Sequence, residues 1–219
     1  MPILSRHAGV TTAWGERYAL PMLEPSRMPR SPELMSRDDT ALLVVDVQDK
    51  LVRSIPDSDR LVWNIGRLIE AAQLLGVPVT ATEQYPQGLG ATVAPLATRL
   101  GAIPAKLTFS CVGCEALRSR LEELDRPNIL VCGIESHVCV QQTVFDLLHA
   151  GYRVLVAVDG VSSRGALDLQ VALRRMESSG ATLTTVEATL FEWCEAAGTP
   201  EFKQISNLVK QTFSTENRP

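Results

Sequence analysis

The chain has 219 residues and a formal net charge of −4 at pH 7, with 21 basic residues against 25 acidic ones. This balance gives no excess of positive charge for binding phosphates, which argues against nucleic acid as a main partner and favours a small molecule. A domain of this length buries roughly 70% of its unfolded surface, so it needs no disulfide or metal to fold. Its five cysteines are an odd number, which favours free thiols and a cytoplasmic location.

Residues 1–37 differ in composition from the rest of the chain. They combine five prolines with five arginines and show no periodic apolar pattern. We therefore predict an irregular extension over residues 1–37, packed on the domain or on a neighbouring subunit, and one domain over residues 38–219. The longest apolar runs, at 41–45 and 154–158, are far shorter than the roughly 20 residues of a membrane span, so no membrane contact is expected.

From residue 40 onward, short apolar runs alternate with helical patterns, which is typical of βαβ units. The predicted strands are 41–46, 78–82, a weaker one at 102–106, 129–133, 153–158 and 181–185. The predicted helices are 59–75, 115–124, 137–150 and 168–179. The strands are nearly all apolar, as expected when helices cover both faces of a sheet. We predict a three-layer α/β/α domain with a doubly wound, mainly parallel six-stranded sheet in the order 3-2-1-4-5-6.

In this strand order, Asp46 and Cys139 lie next to the same crevice. Strand 1 ends at Asp46, and strand 4 ends shortly before Cys139. These two strand ends flank the topological switch point, where sheets of this kind bind ligands. The two residues, far apart in sequence, are therefore expected to face each other.

Cys139 has the sequence setting of a nucleophile. In ILVCGIESHVCV, an apolar run ends at Gly133 and an amphipathic helical pattern follows. The positive end of a helix dipole favours a thiolate over a thiol. The backbone N–H groups of Glu135 and Cys139 are candidates for an oxyanion hole. The alternative is that Cys139 is a buried core residue.

Asp46 and Lys106 are the candidate partners of this thiol. Asp46 ends an apolar strand, where a carboxylate is either a base or a structural group such as a helix cap or an ion-pair partner. Lys106 ends the weaker strand and is the available cation, although a lone lysine there is typical of a solvated side chain. Together, Asp46 would take the thiol proton, Lys106 would keep the carboxylate ionised and orient the substrate, and Cys139 would attack.

Four residues are candidates for substrate contacts. Gln84 and Tyr85 follow strand 2 at the same edge as Asp46, and Gln48 follows Asp46 itself. Phe109 would give a wall to a planar substrate. For Gln84 and Tyr85 a plain loop position is the alternative, and for Phe109 a core position.

The three histidines do not predict a catalytic or metal site. His137 lies two residues before Cys139, and residues two apart point to different sides of a helix, so we expect it to pack or to give polar support. His149 is expected to be solvated. His7 lies in the extension and has no readable role.

The remaining cysteines give no metal or cofactor motif. Cys111 and Cys114 form a lone CxxC without a second pair of ligands, so we expect no zinc, and a loop leading into a helix with redox sensitivity as the minor alternative. Cys132 and Cys194 are interpreted as core residues. No GxGxxG or GxxxxGK[ST] motif is present, so no nucleotide cofactor is expected.

The motifs around these residues resemble those of the isochorismatase-like cysteine hydrolases, which include nicotinamidases and N-carbamoylsarcosine amidases. The triad of that superfamily matches Asp46 in LLVVDVQ, Lys106 in AKLTFS and Cys139 in GIESHVCV. The likeness runs from about residue 40 to residue 210. It is strongest with the isochorismatase-domain-containing subgroup, whose sequences resemble the runs TEQYPQGLG, DGVSSR and TTVEATLFEW.

The resemblance carries further expectations. It implies a non-proline cis peptide bond between Ile134 and Glu135. The Asp-x-His and further His of the nicotinamidase metal site have no counterpart between residues 48 and 85, so no metal is expected. Isochorismatases that cleave a vinyl ether often lack the cysteine, so the presence of Cys139 favours cleavage of an amide or a similar acyl group.

The expected function is cofactor-independent hydrolysis of a small amide or related carbonyl compound through a thioester intermediate. The alternative is a family member with weak or no activity that acts as a binding or assembly protein. A homo-oligomer, a tetramer or larger, is expected, with the apolar segment 205–213 at subunit contacts.

Overall fold

The structure, a computed structural model, describes residues 30–214. The strands are β1 (Thr40–Val45), β2 (Val79–Gln84), β3 (Ala105–Lys106), β4 (Asn128–Ile134), β5 (Arg153–Ser162) and β6 (Thr182–Thr184). The helices are α1 (Asp49–Val52), α2 (Ser58–Leu75), α3 (Pro86–Leu89), α4 (Ala94–Ala97), α5 (Glu115–Leu124), α6 (Gln141–His149), α7 (Ala166–Ser178), α8 (Val186–Cys194) and α9 (Pro200–Val209). Residues 1–29 of the expected extension lie outside the described residues.

The six strands form one parallel sheet in the order β3-β2-β1-β4-β5-β6, which confirms the predicted topology. β1 pairs with β2 on one side and β4 on the other, so it lies next to the switch point. Every residue of β1 and β4 is buried. Their continuous apolar sequences are therefore explained by helices on both faces.

Alternate residues of β1 belong to two separate apolar layers. Leu42 and Val44 pack with α2, α8 and α9, whereas Leu43 and Val45 pack with α5, α6 and α7. This separation follows from the two-residue period of a strand. The result is the predicted three-layer α/β/α domain.

Two long helices and several short ones lack a sequence prediction. The hydroxyl of Thr185 accepts the N–H of Ala188 at the start of α8, and that of Thr199 accepts the N–H of Phe202 at the start of α9. A threonine N-cap, followed for α9 by proline in the first turn, was the available signal. Ile205 of α9 was expected to lie at a subunit contact. It is instead fully buried in the core of its own chain.

Met35 belongs to the same compact unit as the sheet. Its side chain shows how the residue is held there. It is fully buried in the apolar layer of α2 and α8, and the N–H of the same residue donates to Oε2 of Glu192 across 2.8 Å. Among residues 30–214, no helix is long and apolar enough to cross a membrane.

Gly133 lets β1 and β4 approach closely at their carboxyl ends. Its φ is +118°, and a Cβ placed on it would overlap the carbonyl oxygen of Val45. Only glycine tolerates both that backbone angle and that contact. The residue after Val45 is Asp46, so this close approach brings the carboxylate near the turn that follows β4.

Candidate active site

The three residues of the predicted triad meet at the carboxyl edge of the sheet. Asp46 directly follows β1, Lys106 ends β3, and Cys139 lies in a π-helical turn, Ser136–Val140, between β4 and α6. All three are buried, with Cys139 5% exposed. The helix predicted over 137–150 is thus divided into this wider turn and α6. Such turns are frequent at functional sites because they change the direction of side chains within a helix.

Lys106 and Asp46 form a buried ion pair. Lys106 Nζ lies 2.7 Å from Oδ2 of Asp46 and donates also to the side-chain oxygen of Gln84, at 2.7 Å, and to the carbonyl oxygens of Phe109 and Thr108, at 2.9 and 3.2 Å. An ammonium has three hydrogens, and these protein oxygens use them all. The geometry therefore fits the expected charge support of Asp46 but leaves no donor for orienting a substrate.

The Asp46 carboxylate acts on the Cys139 thiol both through its charge and as a hydrogen-bond acceptor, and both effects raise the pKa of the thiol. Burial raises the pKa of the Cys139 thiol, the negative charge of Asp46 raises it further, and the Lys106 cation opposes these effects. The expectation that the helix start favours a thiolate is therefore wrong for the resting site, because burial and Asp46 outweigh it. The resting thiol is therefore protonated, with the Asp46 carboxylate as the neighbouring base.

The turn that carries Cys139 is held at its start by the backbone of Glu135. The Ile134–Glu135 peptide bond is cis, as the resemblance implied. The carbonyl oxygen of Glu135 accepts the N–H groups of Val138 and Val140, at 3.1 and 3.2 Å.

The side chain of Glu135 is held as well. Its Oε1 accepts from Nε of Arg164 at 2.8 Å and from the backbone N–H of the same residue at 3.2 Å. The backbone N–H groups of Glu135 and Cys139, predicted as an oxyanion hole, thus both belong to an ordered turn.

The four candidates for substrate contacts divide into two pairs. Gln48 is fully buried, and its side-chain amide binds the carbonyl oxygens of Gln84 and Gly90 and the N–H of Gln84. Gln84 binds Lys106 and the carbonyl oxygen of Leu107. The side-chain amides of both glutamines therefore bind protein groups and hold the loops beside the triad.

Tyr85 and Phe109 are the exposed pair. Tyr85, which follows the buried Gln84, is 50% exposed. Phe109, three residues after Lys106, is 54% exposed. They are free to contact a ligand that reaches this edge.

Sequence reasoning missed three residues around the triad. The hydroxyl of Thr82 donates to Oδ1 of Asp46 across 2.8 Å and lies 3.3 Å from the sulfur of Cys111. The N–H of Cys111 donates to Thr143 Oγ1, which donates to the carbonyl oxygen of Cys139. The available signal was Thr82, a polar residue that ends predicted strand 78–82 at the same edge as Asp46.

The CxxC and the histidines take other places. Cys111 begins a single 3-10 turn, Cys111–Gly113, that leads into α5 as expected. His137 Nδ1 lies 3.0 Å from Oγ of Ser163, which fits polar support, and His149 is exposed. Within residues 30–214, no group of three or more His, Cys, Asp or Glu side chains is arranged to hold a metal ion.

A protein-family model, the isochorismatase domain, matches residues 40–188, which is more than half of the chain. The chain belongs to the isochorismatase family. Human isochorismatase domain-containing protein 2 is 43% identical over 176 residues, covering 78% of this chain and 83% of the relative. The secreted isochorismatase effector Isc1 of Phytophthora sojae is 38% identical over 184 residues, covering 81% and 88%.

A solved structure shares both fold and sequence with this member of the isochorismatase family. The MAR1 ribonuclease of Caenorhabditis elegans matches with a TM-score of 0.77 and 38% identity, covering 85% of this chain and 97% of that one. Membership of the family supports a hydrolase.

Proposed function

We propose that this chain is a cysteine hydrolase that cleaves a small amide or a related carbonyl compound through a thioester on Cys139. The observation that carries the proposal is the buried ion pair of Lys106 Nζ and Asp46 Oδ2, 2.7 Å apart, whose carboxylate acts on the Cys139 thiol. A nucleophile, a base within hydrogen-bond reach and a group that fixes the base are the parts that covalent catalysis requires.

In the proposed first step, the sulfur of Cys139 attacks the carbonyl carbon while Asp46 takes the thiol proton. The carbonyl electrons move to oxygen, and the backbone N–H groups of Glu135 and Cys139 stabilise the resulting oxyanion. The oxyanion collapses, the C–N bond breaks, and the leaving nitrogen takes the proton from Asp46. The product is an amine or ammonia, and the acyl group remains on Cys139 as a thioester.

In the second step, water attacks the thioester and Asp46 takes a proton from that water. Collapse of the second oxyanion breaks the C–S bond, and the sulfur recovers the proton from Asp46. Lys106 does not contact the substrate in this scheme. It compensates the charge of a carboxylate that would otherwise be buried alone, so Asp46 alternates between the two protonation states without leaving its position.

Tyr85 and Phe109 are the proposed substrate contacts. Both are exposed aromatic side chains at the edge where the triad lies. Aromatic rings bind planar, largely apolar groups, so the acyl part of the substrate is proposed to be flat or apolar. Each step of the scheme uses side chains of this chain and water, so no cofactor is part of the proposal.

The alternative of an inactive assembly protein has less support than the sequence suggested, because Ile205 and Leu208 are buried in their own core. Assembly of an active enzyme has separate support. Leu107 and Leu167 are 76% and 70% exposed, which is apolar surface that a second copy of the chain would cover. We propose a cytoplasmic homo-oligomer, and light scattering of the purified full chain measures its mass.

The test is a panel of small primary amides with aliphatic and aromatic acyl groups, measured by ammonia release. A turned-over amide is expected to leave an acyl group on Cys139 that mass spectrometry detects after rapid acid quenching. Turnover of that amide at the wild-type rate by Cys139→Ala would refute the nucleophile. A vinyl ether and a short RNA serve as further substrates, and cleavage of either in place of every amide would refute the substrate class. The net charge of −4 gives the RNA no electrostatic support.

A further inference from the structure

The Asp46 carboxylate is held by a hydroxyl as well as by the Lys106 ammonium. Lys106 binds Oδ2, and the hydroxyl of Thr82 donates to Oδ1. Thr82 lies in β2 and is buried. It pairs with Val45 of β1, the residue that precedes Asp46. The two oxygens of the proposed base are thus fixed by donors from two different strands, β3 and β2.

The direction of the contact between Thr82 and Cys111 follows from hydrogen counting. A hydroxyl has one hydrogen, and that of Thr82 goes to the carboxylate, which only accepts when ionised. The Cys111 thiol must therefore be the donor across the 3.3 Å to Thr82 Oγ1. Burial, followed by the negative charge of Asp46, raises the pKa of Cys111 to about 11, so this thiol holds the hydrogen that the contact requires.

Cys111 also reaches the nucleophile through its backbone. Its N–H donates to Thr143 Oγ1 across 2.9 Å, and Thr143 donates to the carbonyl oxygen of Cys139 across 2.6 Å. The side chain of Cys111 is thus linked to the proposed base, and its main chain is linked to the residue that attacks. Neither link requires Cys111 to be exposed, and it is fully buried.

We propose that Thr82 and Cys111 are positioning residues, which hold Oδ1 of Asp46 by an ordered set of donors from the Cys111 thiol through the Thr82 hydroxyl. This inference rests on the function proposed above and states how its base is held toward Cys139. The titratable groups that act on Asp46 in the network are Lys106, Cys111 and Cys139. Two fixed oxygens leave the carboxylate one orientation, in which it meets the thiol proton.

The experiment measures the rate at which iodoacetamide alkylates Cys139 at pH 7, read by mass spectrometry of the peptide that contains it. Thr82→Val keeps the shape of the side chain and removes the hydroxyl, whereas Thr82→Ser keeps the hydroxyl and removes a methyl group. Loss of one hydrogen bond to a charged group is expected to slow Thr82→Val about tenfold. Thr82→Ser is expected to stay within about threefold of the wild type.

A packing role for Thr82 predicts the opposite order, because serine leaves a small cavity and valine does not. Cys194, in the same samples, is the internal control and is expected to react at one rate in all variants.

The second pair of variants tests the donor role of Cys111. Cys111→Ser keeps a donor next to Thr82, and Cys111→Ala removes it. Alkylation of Cys139 is expected to be several times slower in Cys111→Ala than in Cys111→Ser. Equal rates in these two variants would refute the part assigned to the Cys111 thiol.

The outcomes separate the two proposals. Wild-type Cys139 that reacts no faster than Cys194 overturns the proposed function, and this inference with it. A fast wild-type Cys139 that is unchanged in Thr82→Val, or slower in Thr82→Ser than in Thr82→Val, overturns the inference alone. The predicted order of the Cys139 alkylation rates, from fastest to slowest, is wild type, Thr82→Ser and then Thr82→Val.

Discussion

The carboxyl edge of the sheet and the packing between α2 and α8 both bury a cysteine, a cation and a threonine, but they treat these groups differently. At the edge, Lys106 and Thr82 donate hydrogen bonds to the carboxylate of Asp46, and that carboxylate raises the pKa of the Cys139 thiol. Between α2 and α8, Oγ1 of Thr189 and two nitrogens of Arg67 have no hydrogen-bond partner among residues 30–214.

The two cysteines show what this difference means for reactivity. Cys139 is 5% exposed and Cys194 is 6% exposed, so access to solvent does not distinguish them. The thiol of Cys194 donates to the carbonyl oxygen of Ala196, at 3.6 Å, which cannot take its proton. A base within reach, rather than exposure to solvent, distinguishes the proposed nucleophile Cys139 from Cys194.

The two cations show the same contrast. Lys106 is surrounded by oxygen acceptors, whereas the guanidinium of Arg67 lies 4.5 Å from the centre of the Trp63 ring. Burial lowers the pKa of Arg67, and the charges of Glu187 and Asp159 oppose that effect. Arg67 is a packed cation, and Lys106 is one half of a charge pair.

The largest expected effect comes from removing each thiol in turn. Cys139→Ala is expected to lower the turnover of an amide found in the screen by at least about a thousandfold, because the attacking atom is gone. Cys194→Ala is expected to stay within about twofold of the wild type. The measurement is ammonia release at saturating amide, and equal losses in the two variants would remove the contrast between the regions.

Replacing the cation of each region by methionine is expected to change the free energy of unfolding by different amounts. Lys106→Met leaves the buried Asp46 carboxylate unpaired and is expected to lower the free energy of unfolding by about 3–5 kcal/mol. Arg67→Met keeps the packing against Trp63 and is expected to cost less than about 1 kcal/mol. Urea unfolding measures both, and the double variant Asp46→Asn with Lys106→Met is expected to recover part of the loss. A cost for Lys106→Met no larger than that for Arg67→Met contradicts the paired-charge interpretation.

The pH dependence of alkylation sharpens the difference between the two thiols. Burial and Asp46 raise the pKa of Cys139, so the thiol is protonated at neutral pH, and the wild-type rate is expected to be flat there because Asp46 accepts the proton. Asp46→Asn removes both the charge and the base. Its rate is then expected to follow thiol ionisation, with up to about a tenfold rise per pH unit and about a hundredfold loss at pH 6. A flat profile in Asp46→Asn would show that Asp46 is not the base, and Cys194 should rise with pH in both proteins.

The smallest expected effect concerns the threonine without a partner. Thr189→Val replaces a buried hydroxyl, which has no hydrogen bond to the described part of the chain, by a methyl group of the same size. The free energy of unfolding is expected to rise by about 1 kcal/mol, because the cost of burying that hydroxyl disappears. Thr82→Val, the same substitution at the edge, is expected to lower it. Urea unfolding of both variants measures the two changes in the free energy of unfolding, which are expected to have opposite signs. Changes of the same sign would contradict the contrast between the two regions.

The sheet order, and the meeting of Asp46, Lys106 and Cys139 at one edge of the sheet, were predictable from the sequence. Apolar runs such as LLVVD and ILVCG, separated by helical patterns, are enough to indicate parallel strands covered on both faces. In that order, the residues that follow strands 1 and 4 must meet, so Asp46 and Cys139 were placed together without a structure. α9 was missed because its apolar residues, within the segment 205–213, were interpreted as a subunit contact and not as the buried face of a helix.

Tertiary structure alone decided the chemical state and the support of the site. The sequence places Cys139 near a helix start, which favours a thiolate, but burial beside Asp46 reverses that preference. It shows Gln48 and Gln84 at the right edge, but only packing shows that their amides are already bonded to loops. Thr82 and Cys111 are ordinary residues in sequence and become part of the site through contacts between separate strands and turns. Strand order follows from local apolar patterns, whereas protonation and hydrogen bonding depend on groups that only the folded chain brings within about 3 to 4 Å of each other.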